Sequence, residues 1–94
     1  MNFKDRSEFE NSARAAGYDE LLERHWESNT TVAAHSHPFD AHALLVEGEM
    51  WLTCGDNFRH LIPGDTFTLE RGQLHSERYG PSGAMYLVAR RNAN

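Results

Sequence analysis

Turn-forming residues divide the chain after Gly17 into short segments, and this division constrains the fold more than any other feature. The segments carry apolar or alternating side chains and end at residues 54–57 (CGDN), 63–65 (PGD) and 80–83 (GPSG). Segments of about five to ten residues with no helices between them are typical of antiparallel sandwiches and small barrels. The pattern therefore predicts an all-β protein with a turn at each of these groups.

The segment before Gly17 is the exception, and it predicts one short α-helix over residues 7–16. Ser7 and Glu10 have the spacing of a capping box at the start of a helix. Phe9 lies on the apolar face of this helix and is expected to pack against the rest of the fold. Gly17 suits the left-handed residue that commonly ends a helix.

The length of the chain predicts one domain. The chain has 94 residues and a mass of 10.7 kDa, which is near the lower end of what buries a core without cross-links. We expect a single domain over residues 1–94, with the β-barrel over 18–90 following the helix. A domain of this size is only marginally stable, so a bound metal or a partner subunit would strengthen it.

Charge and composition exclude several classes of function. The net charge of −5 argues against a general binder of nucleic acid or of anionic membranes, which needs clustered Lys and Arg. No segment approaches the roughly 20 apolar residues that span a bilayer, and the charged N-terminus does not resemble a signal peptide. Cys54 is the single cysteine, so no internal disulfide can form. These features predict a soluble protein of the reducing cytoplasm.

Three histidines fall within eight residues near the middle of the chain, in the run from His35 to His42 (HSHPFDAH). Side chains two positions apart on a strand point to the same face, so His35 and His37 project together at a spacing suited to one cation. His75 begins a later predicted strand, directly after a turn at Gly72. Because a barrel brings distant strands together, the three imidazoles form a candidate metal site with open coordination positions.

These residues resemble the two sequence motifs of the cupin family, and the resemblance extends over roughly residues 29–90. The matching residues are His35, His37, Gly48, Gly64, Gly72 and His75. The resemblance implies a double-stranded β-helix, which is a jelly-roll barrel of antiparallel strands. It also implies that His35, His37 and His75 are ligands of a divalent transition metal, with Zn, Ni, Fe and Mn as candidates.

The sequence departs from the family pattern where a glutamate ligand is usual, because Ala41 stands at that position. Three alternatives stay open. In order of preference, the site uses three histidines with water in the remaining positions, or His42 replaces the glutamate, or Asp40 replaces it. Either replacement requires a bulge, since a slip of one residue turns a side chain to the opposite face of a strand.

Other polar and aromatic residues have less specific interpretations. Tyr79 is expected on the same side as His75, either in contact with a ligand or, by preference, as a core residue with a backbone partner for its hydroxyl. His25 and His60 are expected to be ordinary strand residues. Trp26 and Trp51 are expected to pack rather than to line a cavity.

The sequence therefore predicts a small metal-binding cupin that holds a divalent transition metal and a small organic ligand inside its barrel. Catalysis of the dioxygenase, isomerase or lyase type is possible at such a site. The alternatives are a non-catalytic module that binds or senses a small molecule, and a structural barrel without metal. We also expect a homodimer, because the exposed edge of a sheet needs to be covered.

Overall fold

The structure is a computed structural model that describes residues 6–92. One α-helix precedes six β-strands. Their bounds are α1 Arg6–Ala15, β1 Glu20–Trp26, β2 Thr31–His35, β3 Asp40–Cys54, β4 Asn57–Leu61, β5 Thr66–Leu69 and β6 His75–Arg91. The helix starts one residue earlier than predicted, so Ser7 lies inside its first turn. The signal-peptide prediction depends partly on residues 1–5, which lie outside the described residues.

Two long strands, β3 and β6, organise the sheet. β3 pairs with β4, β5 and β6, whereas β6 pairs with β1, β2 and β3, and every one of these pairs is antiparallel. Each long strand therefore exchanges partners along its length, as strands must when a sheet curls around one interior. The prediction of an all-β antiparallel barrel with a short N-terminal helix is confirmed.

The turn predicted at residues 80–83 is wrong, because β6 continues through this segment. In the register of β3 and β6, Gly48 faces Ala84 and Met50 faces Tyr79. Four residues of β6 thus lie opposite one residue of β3, which is a bulge rather than a chain reversal. A bulge bends and twists a strand without ending its pairing, so the glycines and proline here serve to curve the barrel.

The alternation of side chains divides β3 between two cores. Ala41, Ala43 and Leu45 pack in the barrel interior, whereas Leu44 packs outside it in a cluster that includes Phe9 of α1. Phe9 is fully buried, which confirms the expected packing of the helix against the sheet. His42 has the parity of Leu44, and its ring is stacked on Phe9 at a centroid distance of 5.2 Å.

The helix ends as the sequence predicts. Gly17 has a φ of 92°, and the Tyr18 amide donates to the Ala13 carbonyl at 3.1 Å, which satisfies a carbonyl of the last turn. Asn29 also adopts a left-handed conformation, with a φ of 58°.

Two sequence expectations concern the membrane and a partner subunit. No helix within residues 6–92 is long and apolar enough to cross a lipid bilayer. β1 stands at the end of the strand order, paired with β6 alone. The homodimer stays a prediction, with this edge strand or the N-terminal helix as the expected contact.

Gly48 occupies a position that no other residue can take without strain. Its φ is 83°, and a Cβ there would lie 2.1 Å from the Gly83 carbonyl oxygen. We predict that Gly48→Ala lowers the free energy of unfolding by more than about 2 kcal/mol, measured by chemical denaturation.

The matched control is Gly55→Ala. Gly55 also has a positive φ, 58°, but a Cβ there meets nothing within 4 Å, so only the backbone cost of about 1 kcal/mol is expected. Equal losses in the two variants would show that the close approach to Gly83 does not matter.

Candidate metal centre

The three predicted histidines meet where β2 ends and β6 begins. His35 and His75 are direct partners in the register of these two strands, so their side chains stand side by side. His37 follows β2 in a loop, and its carbonyl accepts a hydrogen bond of 2.8 Å from the Gly72 amide. This bond ties the loop that carries His37 to the turn that precedes His75.

The imidazole rings form a compact triangle. Their centroids are 4.8 Å apart for His35 and His37, 4.3 Å for His35 and His75, and 5.1 Å for His37 and His75. One nitrogen from each ring lies within 4.8 Å of those from the other two. Among the described residues, this is the group of side chains that could hold a metal ion together.

Backbone carbonyls set the tautomers of two of these rings. His35 Nδ1 is 2.8 Å from the Ala33 carbonyl oxygen, and His75 Nδ1 is 3.1 Å from that of Gln73. A carbonyl can only accept, so each Nδ1 is the donor, and in the neutral imidazole this leaves the Nε2 lone pair available to a metal. Hydrogen bonds of this kind orient the ligating rings of metal sites. The Nε2 atom of His75 is buried and has no hydrogen-bond partner.

The charge state of His37 also suits a ligand. Burial lowers the pKa of His37, and the neighbouring His75 and His35 rings act in the same direction. The neutral imidazole is therefore favoured, and this is the form that binds a metal. Taken together, the free lone pairs, the fixed tautomers and the unsatisfied Nε2 atom fit a metal ion.

Glu77 is the functional residue that the sequence analysis missed. It follows His75 by two positions on β6, so its carboxylate enters the same interior, and it is buried. Its Oε2 atom lies 3.4 Å from His75 Nε2 and 3.7 Å from His35 Nε2. The signal was present in the sequence, since His75-Ser76-Glu77 has the same alternate spacing as His35-Ser36-His37.

A cavity opens directly onto these residues. Its volume is about 80 Å³, and its walls combine the three histidines and Glu77 with apolar and aromatic side chains and two arginines. A polar ligand group at the metal centre and an apolar body against the opposite wall would both be accommodated, as is usual for small-molecule sites.

Comparisons with known proteins agree with this architecture. No family model and no curated protein matches the sequence. Solved structures do match, and one is a protein with a double-stranded β-helix domain from Klebsiella pneumoniae. It is 22% identical with a TM-score of 0.69, over 83% of this chain and 70% of that one. An RmlC-like cupin from Shewanella frigidimarina is 21% identical with a TM-score of 0.63, over 80% of this chain and 68% of its own. This protein has the double-stranded β-helix fold of these cupin structures.

A third match is the DMSP lyase DddQ from Ruegeria pomeroyi, which is 25% identical with a TM-score of 0.65. The alignment covers 76% of this chain but 36% of the lyase chain. The protein described here therefore corresponds to about a third of that enzyme.

On the side away from the histidines, Glu77 is held by a hydrogen bond from Tyr79. The Tyr79 hydroxyl donates a hydrogen bond to Oε1 of Glu77, and the Tyr79 ring is stacked on Trp26 at a centroid distance of 4.9 Å. Burial strongly raises the pKa of Tyr79, so its hydroxyl stays protonated and remains a donor. Tyr79 is thus a core residue as preferred, but its partner is a carboxylate and not the backbone.

The two candidate replacements for the missing glutamate lie elsewhere. His42 Nδ1 is 3.1 Å from the Thr68 hydroxyl on the helix side of β3, because no bulge reverses its parity there. The Asp40 carboxylate accepts from the Arg71 amide at 2.8 Å and from the Arg91 side chain at 3.2 Å. Neither residue belongs to the histidine group, and both have structural partners.

The other two histidines are exposed, and only one of the two tryptophans lines the cavity. His25 is exposed and contacts Glu23 at 2.7 Å, and His60 is exposed and contacts Glu49 at 2.6 Å. Trp51 stacks on His60 outside the cavity, whereas Trp26 lines the cavity as well as packing on Tyr79.

We predict opposite effects for two substitutions of Glu77 in metal-free protein. Glu77→Ala leaves the buried Tyr79 hydroxyl without an acceptor and should cost about 1–3 kcal/mol of unfolding free energy. Glu77→Gln keeps an acceptor and removes a buried charge, so it should be neutral or stabilising. Chemical denaturation measures both.

The control for this prediction adds Tyr79→Phe to Glu77→Ala, which removes the orphaned hydroxyl and should recover part of the loss. If Glu77→Ala and Glu77→Gln had equal free energies of unfolding, the role of this hydrogen bond would be contradicted.

Proposed function

We propose that this cupin binds one divalent transition metal through His35, His37 and His75 and holds a small organic ligand beside it in the barrel. The observation that carries the proposal is the buried Nε2 atom of His75, which makes no hydrogen bond and lies 3.4 Å from Glu77 Oε2. Leaving such an atom unsatisfied costs about 1–3 kcal/mol. A metal ion shared with His35 and His37 removes that cost.

Glu77 is the fourth donor in this proposal. Two donors bound to one ion at about 2.1 Å and about 90–109° lie about 3.0–3.4 Å apart. The 3.4 Å and 3.7 Å separations of Glu77 Oε2 from two histidine nitrogens are close to this range. The histidine nitrogens spread to 4.8 Å, so the most distant pair would draw together by about 1.4–1.8 Å around an ion.

The chemistry of the donors defines the class of metal. Imidazole nitrogens suit Zn, Ni and Fe, and a carboxylate adds affinity for Mn and Fe. A divalent ion also neutralises the buried Glu77 charge, which would otherwise be costly. When bound, the ion would supply Lewis acidity to a ligand group in the cavity.

We predict close to one transition-metal ion per chain in protein purified without a histidine tag, measured by elemental analysis. His75→Ala and His35→Ala should each reduce this content to a small fraction. Chelation should lower the melting temperature, because an ion that binds only the native state stabilises it. Free metal at 100 times Kd adds about 2.7 kcal/mol, or roughly 10–20 °C in a domain of this size.

The matched control is His60→Ala, which removes an exposed histidine outside the group and should leave the metal content unchanged. Metal content well below one ion per chain, with no change in His75→Ala, would reject the proposal. An identical melting curve with and without chelator would also count against it.

Catalysis at the same site is the second candidate, favoured by the buried Glu77 carboxylate facing both the histidines and the cavity. The DMSP lyase named above shares the fold. We predict that a panel of DMSP, small thiols, diketones and phenols includes a compound that metal-loaded protein consumes, measured by mass spectrometry and oxygen uptake.

Chelation and Glu77→Gln should each abolish that consumption, and His60→Ala should not. If every compound in the panel persists unchanged, the protein is a binding module rather than an enzyme.

A further inference from the structure

The cavity beside the metal centre contains a set of buried polar atoms without partners. Within residues 6–92, the buried side-chain atoms that lack a hydrogen bond are Trp26 Nε1, His75 Nε2 and Arg90 Nε. All three residues line this one cavity. The Trp26 indole lies near the Tyr86 hydroxyl. Burial raises the pKa of Tyr86 and the indole lowers it, but Trp26 Nε1 makes no hydrogen bond of ordinary geometry. Trp26 Nε1 and Arg90 Nε are N–H donors, so a ligand with acceptor atoms would satisfy both.

Arg90 lies where a ligand can reach it. It is the direct partner of Ala41 in the register of β3 and β6, and both residues line the cavity. Its guanidinium carbon lies 4.5 Å from the centre of the Phe39 ring. Its ion pair with Glu20 is long, at 3.8 Å between Nη1 and Oε1. The guanidinium is therefore held in place without being neutralised by a close partner.

Arg24 adds a second positive charge on the same wall. On β1 it shares the parity of Trp26, and both side chains line the cavity. Its guanidinium carbon lies 5.1 Å from the Trp26 ring, and it forms no ion pair with the residues that the structure describes. The cavity wall thus has two arginines and one carboxylate, Glu77, in a chain whose net charge is −5. Such a local excess of positive charge attracts anions.

We propose that the ligand of this cavity is a small organic carboxylate, whose oxygens pair with Arg90 and Arg24 while its carbon chain contacts the apolar wall of Phe67, Leu69 and Val88. Guanidinium groups match the two oxygens of a carboxylate. The cavity volume of about 80 Å³ suits a small ligand of a few carbon atoms. This inference rests on the proposed function, since it assigns the class of ligand held at that centre.

The test uses propionate as the probe and propionamide as its uncharged isostere. Binding is followed by NMR through the Trp26 indole and Arg90 side-chain N–H signals, in both metal-free and zinc-loaded protein. Propionate should shift these signals saturably, whereas propionamide should bind at least ten times more weakly. The Trp51 indole signal, which lies outside the cavity, should not move.

Substitutions of the arginines then test whether their charge, rather than the overall fold, determines the affinity for propionate. Arg90→Gln and Arg24→Gln should each weaken propionate binding about ten-fold or more, and Arg90→Lys, which keeps the charge but not the Nε donor, should weaken it less. The matched control is Arg78→Gln, because Arg78 is an exposed arginine over Trp51 and away from this cavity. It should bind propionate as the unsubstituted protein does. Melting temperatures verify that each variant is folded.

Metal content is measured on the same samples. Failure of the proposed metal binding can then be distinguished from failure of the proposed carboxylate binding. Protein that takes up no metal refutes the proposed function. Protein that binds zinc but takes propionate and propionamide equally, or takes neither, overturns the carboxylate inference alone. Unchanged propionate affinity in folded Arg90→Gln and Arg24→Gln also overturns it.

Discussion

The pairing of His35 with His75 across β2 and β6 is the constraint on which the rest of the site depends. These residues are 40 positions apart in the chain, and the antiparallel register makes them immediate neighbours. Once they are neighbours, strand alternation places Glu77 and Tyr79 along the same interior, and the loop after β2 adds His37. The site is therefore a consequence of barrel closure, and a change in the β2–β6 register would take the imidazoles and the carboxylate apart together.

The interior of the barrel combines groups that stability alone would not select. A buried carboxylate, an unpaired imidazole nitrogen and two arginine side chains occupy positions where apolar residues would pack at lower cost. Tyr79 offsets part of that cost by donating to Glu77, and its own ring is held by Trp26. Unfavourable polar burial that collects in one cavity is typical of a functional site rather than of a structural core.

Much of this architecture could be predicted from the sequence, because strand parity and turn chemistry are local properties. The short segments and the helix end at Gly17 follow from them, whereas His37, expected on the same strand face as His35, lies in the loop after β2 and reaches the site from there. The continuation of β6 through residues 80–83 could not be predicted so, since GPSG forms a turn or a bulge depending on what pairs with it. Glu77 could not be predicted from the family pattern, which has its carboxylate near Ala41 on β3, whereas the barrel interior is equally accessible from β6.

The hydrogen bond from the Gly72 amide to the His37 carbonyl has a dynamic consequence. It joins the loop after β2 to the turn before β6, so a motion that separates the segments carrying His37 and His75 breaks this bond. Exchange of the Gly72 amide with solvent would therefore report how often these two segments separate.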